Sequence, residues 1–266
     1  MNSDAVQKYL FDLNGYLILE DVLSAGEVAR LNQAMDEQGL PEPGLTTGEA
    51  RFGSSMPELG GQSAAGFLEW GPEFCDLLDH DLVMERLRWI LGDGFRVDHL
   101  YGIHMRNGTE GLRLHGGAVP YDPPEFFHYS QGNMFNGLTV VSWNLTDTGR
   151  ETGGGFMCIP GSHKSNFVND LPTEVRRHER GAHYVRQVEA RAGDVIIFTE
   201  ALMHGTLAWN AATERRSLLY KYSPGHSSWS RHYYDMDDYT DLTEQQQRFL
   251  MPPFIGERED TVQEKS

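Results

Sequence analysis

The chain is 266 residues long, with a net charge of −17 and a pI near 5. That balance argues against nucleic acid or an anionic membrane as a partner, because both require a basic footprint. A hydrophobic content of 39% is enough for one large domain, which at this length buries roughly 70–75% of its unfolded surface. Abundant Gly (29) and 11% aromatic residues fit a β-rich fold with many tight turns better than a helix bundle. Cys75 and Cys158 make neither a disulfide framework nor a Cys-type zinc site, which points to a reducing compartment. No long apolar run appears near the N-terminus, so no membrane span and a cytoplasmic location are expected.

In chain order, residues 4–12 read as a short helix with Asp4 as candidate cap. Tyr16–Leu19 reads as a strand after the turn Asn14-Gly15. Ser24 opens a helix to about Glu37, with Val28, Leu31 and Met35 at helical spacing. Residues 39–66 form a Gly-, Pro-, Ser- and Thr-rich loop, and 67–91 read as helical segments. From Phe95 the texture changes to short strands at 95–105, 137–145, 155–159, 184–188, 194–199 and 215–222. This pattern predicts a mainly β fold with flanking helices, an all-β sandwich or jelly roll. Segment 116–136 reads as a second long loop; both loops are candidate lids over a site. Asp241 or Thr243 caps a late helix within 235–253, and residues 257–266 read as a disordered tail. The expectation is a single domain over 1–266 with its core at about 95–225, N-terminal helices over 4–91 and a C-terminal helical segment. Arg176, Arg177, Arg180, Arg186 and Arg191 form a local basic stretch, read as a solvated face.

His115-Gly116-Gly117 has the form of a His-x-Asp metal motif with Gly where the acid stands. Mononuclear iron oxygenases hold Fe(II) with two His and one carboxylate on one face of an octahedron. A site built on this motif has one position open. His204 lies in Met203-His204-Gly205-Thr206, at the end of an extension of strand 194–199, and Arg215 follows eleven residues later on the next strand. A metal-binding His followed by an Arg suits a 2-oxo acid: its keto acid end chelates metal, and its far carboxylate meets the planar guanidinium. Arg216 competes, but neighbours on a strand face opposite ways. Gly153-Gly154-Gly155-Phe156-Met157-Cys158-Ile159-Pro160-Gly161-Ser162-His163-Lys164 supplies a Gly-rich entry, an apolar strand and a Pro-Gly turn.

The order His115, Trp143-Asn144-Leu145-Thr146-Asp147, Ile159-Pro160-Gly161-Ser162-His163-Lys164, Gly193-Asp194, His204-Gly205-Thr206, Arg215 resembles the phytanoyl-CoA dioxygenase family of Fe(II)/2-oxoglutarate enzymes, over roughly residues 10–225. The resemblance implies a cupin-like double-stranded β-helix with the metal in its mouth, and O2 as co-reactant. It implies that His115 and His204 ligate iron, that Arg215 and Thr206 hold the far carboxylate of 2-oxoglutarate, and that Trp143 packs beside that cosubstrate. His163 and Lys164 then shape the turn. Gly117 departs from the family's Asp and is similar to iron/2-oxoglutarate halogenases, in which chloride occupies the vacated position.

Three readings follow. The first is a halogenase with Gly117 opening a halide pocket. The second is a hydroxylase or related dioxygenase that draws its acid from Glu200, Asp122 or Glu125. Glu200 is attractive because Glu200, Leu202 and His204 share one face of an extended strand, and it can otherwise serve to orient His204. The third is a non-catalytic jelly roll that binds a small molecule or another metal. Substrate-side candidates are Tyr101, His104, Arg106, Phe126, Phe127, His128 and Tyr129, for a small or medium organic molecule. The segment His226, Trp229, His232, Tyr233 and Tyr234 is read as packing on the core.

Overall fold

The computed structural model describes residues 3–256 and 262, apart from 41, 44–49, 60, 62, 118–122, 232 and 240. Its centre is two antiparallel sheets packed face to face. The larger runs in the order β1 (Tyr16–Leu19), β10 (Val195–Thr199), β7 (Thr139–Asn144), β12 (Arg215–Ser223), β3 (Arg96–Met105), β2 (Ala50–Phe52). The smaller is β4 (Leu112–His115), β11 (His204–Leu207), β8 (Gly155–Cys158), β9 (Arg186–Gln187). A separate hairpin joins β5 (Phe127–Ser130) to β6 (Asn133–Asn136). This is a jelly-roll architecture.

Strands β3 and β7 are buried along their whole length, because the larger sheet is covered on both faces. Successive side chains therefore enter different cores. Val141, Trp143, Val195, Ile197, Leu218 and Tyr220 pack under the helices with Phe11, Leu31, Met35 and Leu87. Val140, Ile196, Phe198, Leu219, Tyr101 and Ile103 face Phe156 and Cys158 of the smaller sheet. The Tyr220 and Tyr222 hydroxyls donate to the carbonyls of Phe74 (2.7 Å) and Leu78 (2.9 Å), which pins the helical layer to β12.

The helices are α1 (Asp4–Asn14), α2 (Ala25–Glu37), α3 (Pro72–Cys75), α4 (Asp81–Leu91), α5 (Thr173–Arg176) and α6 (Glu244–Leu250). Ser24, expected to open α2, closes a reciprocal capping box with Glu27, and Thr243, one of the two caps expected for the late helix, does the same with Gln246 for α6. Asp4 is not a cap; Ser3 holds that position and Asp4 sits in the first turn. Gly15 ends α1 at φ 80°, and a Cβ there would meet His163 Nδ1 at 2.6 Å. His163 Nε2 lies 3.0 Å from the Asp12 carbonyl, so the Pro-Gly-Ser-His turn clasps the end of α1.

At Asp98 the β3–β12 register slips: His99 pairs with Lys221, but Val97 pairs with Tyr222. This β-bulge turns Asp98 into a buried acceptor hub. Its carboxylate receives the amides of Trp229 (2.8 Å) and Ser230 (2.9 Å), the Ser223 hydroxyl (3.1 Å) and His99 Nδ1 (2.7 Å). Arg96 lies 3.5 Å away. The segment after β12 is thereby strapped onto β3, with Trp229 tilted over His99 and Tyr234 buried against Ser55.

Two loop expectations need correction. The segment 116–136 contains the β5–β6 hairpin, turned by Gln131 (φ 51°) and Gly132 (φ 86°), the paired positive φ of a two-residue hairpin loop. The segment 39–66 contains β2 and a 3-10 turn at Pro57–Leu59. Parts of both candidate lids, at 41, 44–49, 60, 62 and 118–122, lie outside the described residues, as does almost all of the tail expected at 257–266. No helix among the described residues is long and apolar enough to cross a membrane.

Candidate active site

The site forms where the chain crosses from one sheet to the other. Strand β10 of the larger sheet ends at Thr199. The amide of Leu202 donates to the Thr199 carbonyl (2.9 Å), and β11 of the smaller sheet begins at His204. Glu200 and His204 therefore flank a tight reversal. The extended strand expected through 200–204 does not exist, because the Thr199 hydroxyl accepts from the Ala201 amide (3.3 Å) and folds the chain over. Strand β4 pairs with β11 so that His115 stands directly opposite His204. Their rings lie 4.3 Å apart, centroid to centroid.

Glu200 Oε2 is 3.6 Å from His204 Nε2, and one ligand atom from each of His115, Glu200 and His204 lies within 4.8 Å of the others. Ligands about 2.1 Å from one ion, in adjacent octahedral positions, stand about 3.0 Å apart. A contraction of about 0.6 Å brings Glu200 Oε2 and His204 Nε2 from 3.6 Å to that separation. His204 Nδ1 is 2.7 Å from the Leu202 carbonyl and His115 Nδ1 is 3.0 Å from that of Arg113. Both Nδ1 atoms are thereby donors, leaving each Nε2 lone pair available for a metal. Two imidazoles and a carboxylate are the donor set that suits non-haem Fe(II).

Electrostatics prepares the same donors. Burial alone would raise the Glu200 carboxyl, but the Lys221 ammonium, helped by His204 and His115, pulls it down to about 2. Burial and the neighbouring His115 push His204 down to about 3, so it is neutral at pH 7. Burial first, then Lys164, likewise takes His163 down to about 4. The folded state thus favours neutral imidazoles, while the unfolded chain protonates them near 6.5. Their contribution to stability is complete above that value and declines as pH falls toward 4 and 3. Glu200 acts in the same sense, from its unfolded value near 4.5 down toward 2. The metal-free protein should melt several degrees lower at pH 5 than at pH 7.5, each histidine costing about 2 kcal/mol. Equal melting temperatures at the two pH values would contradict this burial.

Beyond the triad lies a cavity lined by Tyr101, Ile103, Leu112, Ser142, Phe156, Phe198, Thr206, Arg215, Leu219 and Lys221. Arg215 is 3% exposed and reaches Met105 Sδ. It arrives from β12, the next strand in the chain, which lies in the sheet facing β11. Arg216 points outward to Asp36 (2.7 Å) and Glu214 (3.1 Å).

Gly116 and Gly117 both have positive φ, 91° and 83°. A Cβ on Gly116 would lie 2.5 Å from the Leu202 carbonyl oxygen and 2.6 Å from that of Glu200. The pair is Gly so that this loop can hug the 200–203 reversal. A Cβ on Gly117 would abut Val168, in the small cluster of Leu114, Met157, Val175 and Met203.

The other expected residues divide. Tyr101 lines the cavity. Trp143 does not: adjacent Ser142 takes that face, and Trp143 packs between His80 and Tyr220 under the helices. His104 is on the opposite face of β3 from Tyr101 and Ile103, 2.9 Å from Glu214. Arg106 is half-buried and pairs with Glu42 (2.8 Å). Phe126, Phe127 and His128 line a separate cleft with His163 and His226, and Tyr129 is exposed on the hairpin. Glu125 is half-buried and outside the triad; Asp122 lies outside the described residues. Of the basic stretch, Arg180 pairs with Glu174 and Arg186 reaches the Tyr16 hydroxyl, while Arg177 joins Arg113 and Arg150 on an open outer cleft. The sequence reading missed Lys221, whose Nζ is 2.6 Å from Glu200 Oε1. Its signal was period two: Arg215, Ser217, Leu219 and Lys221 share one face of β12.

A family model described as Phytanoyl-CoA dioxygenase (PhyH) matches residues 11–217. The chain belongs to the PhyH family. The family is Fe(II)- and 2-oxoglutarate-dependent, with O2 as cosubstrate. Ectoine dioxygenase of Sphingopyxis alaskensis is 25% identical over 228 residues, spanning 76% of this chain and 70% of that protein. HygX from Streptomyces hygroscopicus, solved with nickel and 2-oxoglutarate bound, superposes with a TM-score of 0.71 at 22% identity, covering 91% of this PhyH chain and 96% of HygX. SnoN, a non-haem α-ketoglutarate-dependent epimerase from nogalamycin biosynthesis, gives 0.62 at 18% identity over 98% and 100%. The two superpositions place this PhyH member in the same jelly-roll fold.

Proposed function

We propose that this protein is an Fe(II)/2-oxoglutarate dioxygenase that oxidises a C–H bond of a small or medium organic molecule, with His115, Glu200 and His204 as its iron ligands. The observation that carries this reading is the convergence of those three donors. The 95–225 core and its flanking helices would act as one catalytic unit. The Arg215 fork binds the far carboxylate of 2-oxoglutarate, with the Thr206 hydroxyl beside it. Phe156, Phe198 and Leu219 keep water out of the space between that carboxylate and the triad. Iron held by His115, Glu200 and His204 would, together with 2-oxoglutarate and O2, supply the oxidising power for the C–H bond. Small organic substrates accord with the relatives: one is an ectoine dioxygenase, and HygX has been solved with hygromycin B bound.

Halogenation, expected from Gly117, is the second reading. The Lys221–Glu200 pair favours it if it holds the carboxylate off the metal. Chloride titration of the visible charge-transfer band of the anaerobic Fe(II)/2-oxoglutarate protein separates the two. With Glu200 as ligand, the unaltered protein gives no response, and Glu200→Ala acquires one. A response from the unaltered protein would favour the halogenase.

Gly117→Asp gives a further expected outcome. With φ at 83° and Val168 in the way, the new carboxylate points away from the triad. It should leave Fe(II) affinity unchanged and cost about 1 kcal/mol or more of stability. Tighter iron binding in a metal titration of this variant would show that position 117 reaches the metal.

A further inference from the structure

Glu200 presents its two oxygens to different partners. Oε1 is 2.6 Å from Lys221 Nζ, and Oε2 is 3.6 Å from His204 Nε2. Lys221 is only 9% exposed, held on the central strand β12 with Nζ 5.2 Å from the centroid of the Tyr101 ring. Nothing in iron chemistry requires a buried lysine at this point. A carboxylate ligand needs only to be deprotonated, which two imidazoles and a divalent ion already favour.

The requirement comes from counting positions. Two imidazoles, one carboxylate oxygen and the two chelating oxygens of 2-oxoglutarate leave one of six octahedral positions open. A carboxylate that coordinates through both oxygens closes it. Glutamate carries one more rotatable bond than aspartate, so its carboxylate has more freedom to turn both oxygens to an ion. A fixed cation on one oxygen removes that freedom.

We propose that Lys221 is a positioning residue that captures Oε1 of Glu200 and so limits this ligand to a single oxygen, Oε2, toward the metal. The inference rests on Glu200 being a ligand. In this chain the acid comes from the 200–203 reversal on a longer side chain, and Lys221 supplies the restraint that the length takes away.

Co(II) is the probe, read by calorimetry and by its d–d absorption, with melting curves to confirm folding. Lys221→Met should alter the d–d spectrum, because Oε1 is released to join Oε2 on the metal, and Lys221→Arg should restore the original spectrum. Lys221→Met with an unaltered spectrum, while Glu200→Gln loses affinity, would overturn the role of Lys221 and leave Glu200 a ligand. Unaltered affinity in Glu200→Gln would overturn the ligand assignment and this role with it. If Lys221→Met does not fold, the unsubstituted protein decides. Water-proton relaxation with bound Mn(II) should count every water that three single-atom protein ligands leave room for; one fewer overturns single-oxygen coordination.

Discussion

His204→Ala is expected to abolish 2-oxoglutarate-dependent O2 consumption and to weaken Fe(II) binding by more than the roughly 10–100-fold that loss of an outer partner costs. The reason is positional. His204 is the fully buried member of the imidazole pair, its Nδ1 is tied to the Leu202 carbonyl, and its Nε2 faces both His115 and Glu200. Removing it leaves one half-buried imidazole and a carboxylate already engaged by Lys221. No other His, Cys, Asp or Glu among the described residues joins this group. The variant should keep its fold, because the strand pairing of β11 with β4 and β8 is made by backbone. Iron titration and oxygen-electrode traces measure the effect. A folded His204→Ala protein that still consumes O2 with 2-oxoglutarate would remove the basis of the proposed site.

The largest expected effect on stability lies outside the proposed ligand triad. Asp98→Ala should cost about 3–5 kcal/mol, because it strands the Arg96 guanidinium and the amides of Trp229 and Ser230 in a dry interior. At this chain length that corresponds to a fall in melting temperature of roughly 6–20 °C. Burial opposes the ionised Asp98, but its hydrogen bond from His99 and those from the two amides hold the carboxyl below the usual range. Asp98→Asn, which keeps an acceptor oxygen, should lose less. Calorimetry of the two variants tests this; a melting temperature within about 2 °C of the original for Asp98→Ala would show that the strap is held by other contacts.

How much was legible depended on how local each signal was. The start of α2 at Ser24 is read within four residues and was correctly placed, whereas for α6 the sequence left Asp241 and Thr243 open and Thr243 is the cap. The long central strands announced themselves as apolar runs. Strands β4 and β11 did not, being four residues each, β4 flanked by Gly111 and Gly116 and β11 interrupted by Gly205. Their pairing nevertheless sets His115 against His204 across 89 positions of chain. The reversal at Thr199-Glu200-Ala201-Leu202 has no Gly, Pro, Asn or Asp, so only the Thr199 hydroxyl hinted at a turn. Trp143 was misplaced because its neighbourhood matched a motif, whereas a single step of strand alternation decides which core it enters. His104 failed for the same reason.

Because Glu200 and His204 sit on either side of one short bend, two of the three proposed ligands come from five consecutive positions. That stretch can take no insertion or deletion, since one extra residue would rotate the acid away from its imidazole partner. On this assignment the segment beyond Gly117 carries no ligand and can diverge in length and composition. Variation among relatives should therefore concentrate after Gly117, with the bend itself constant in length.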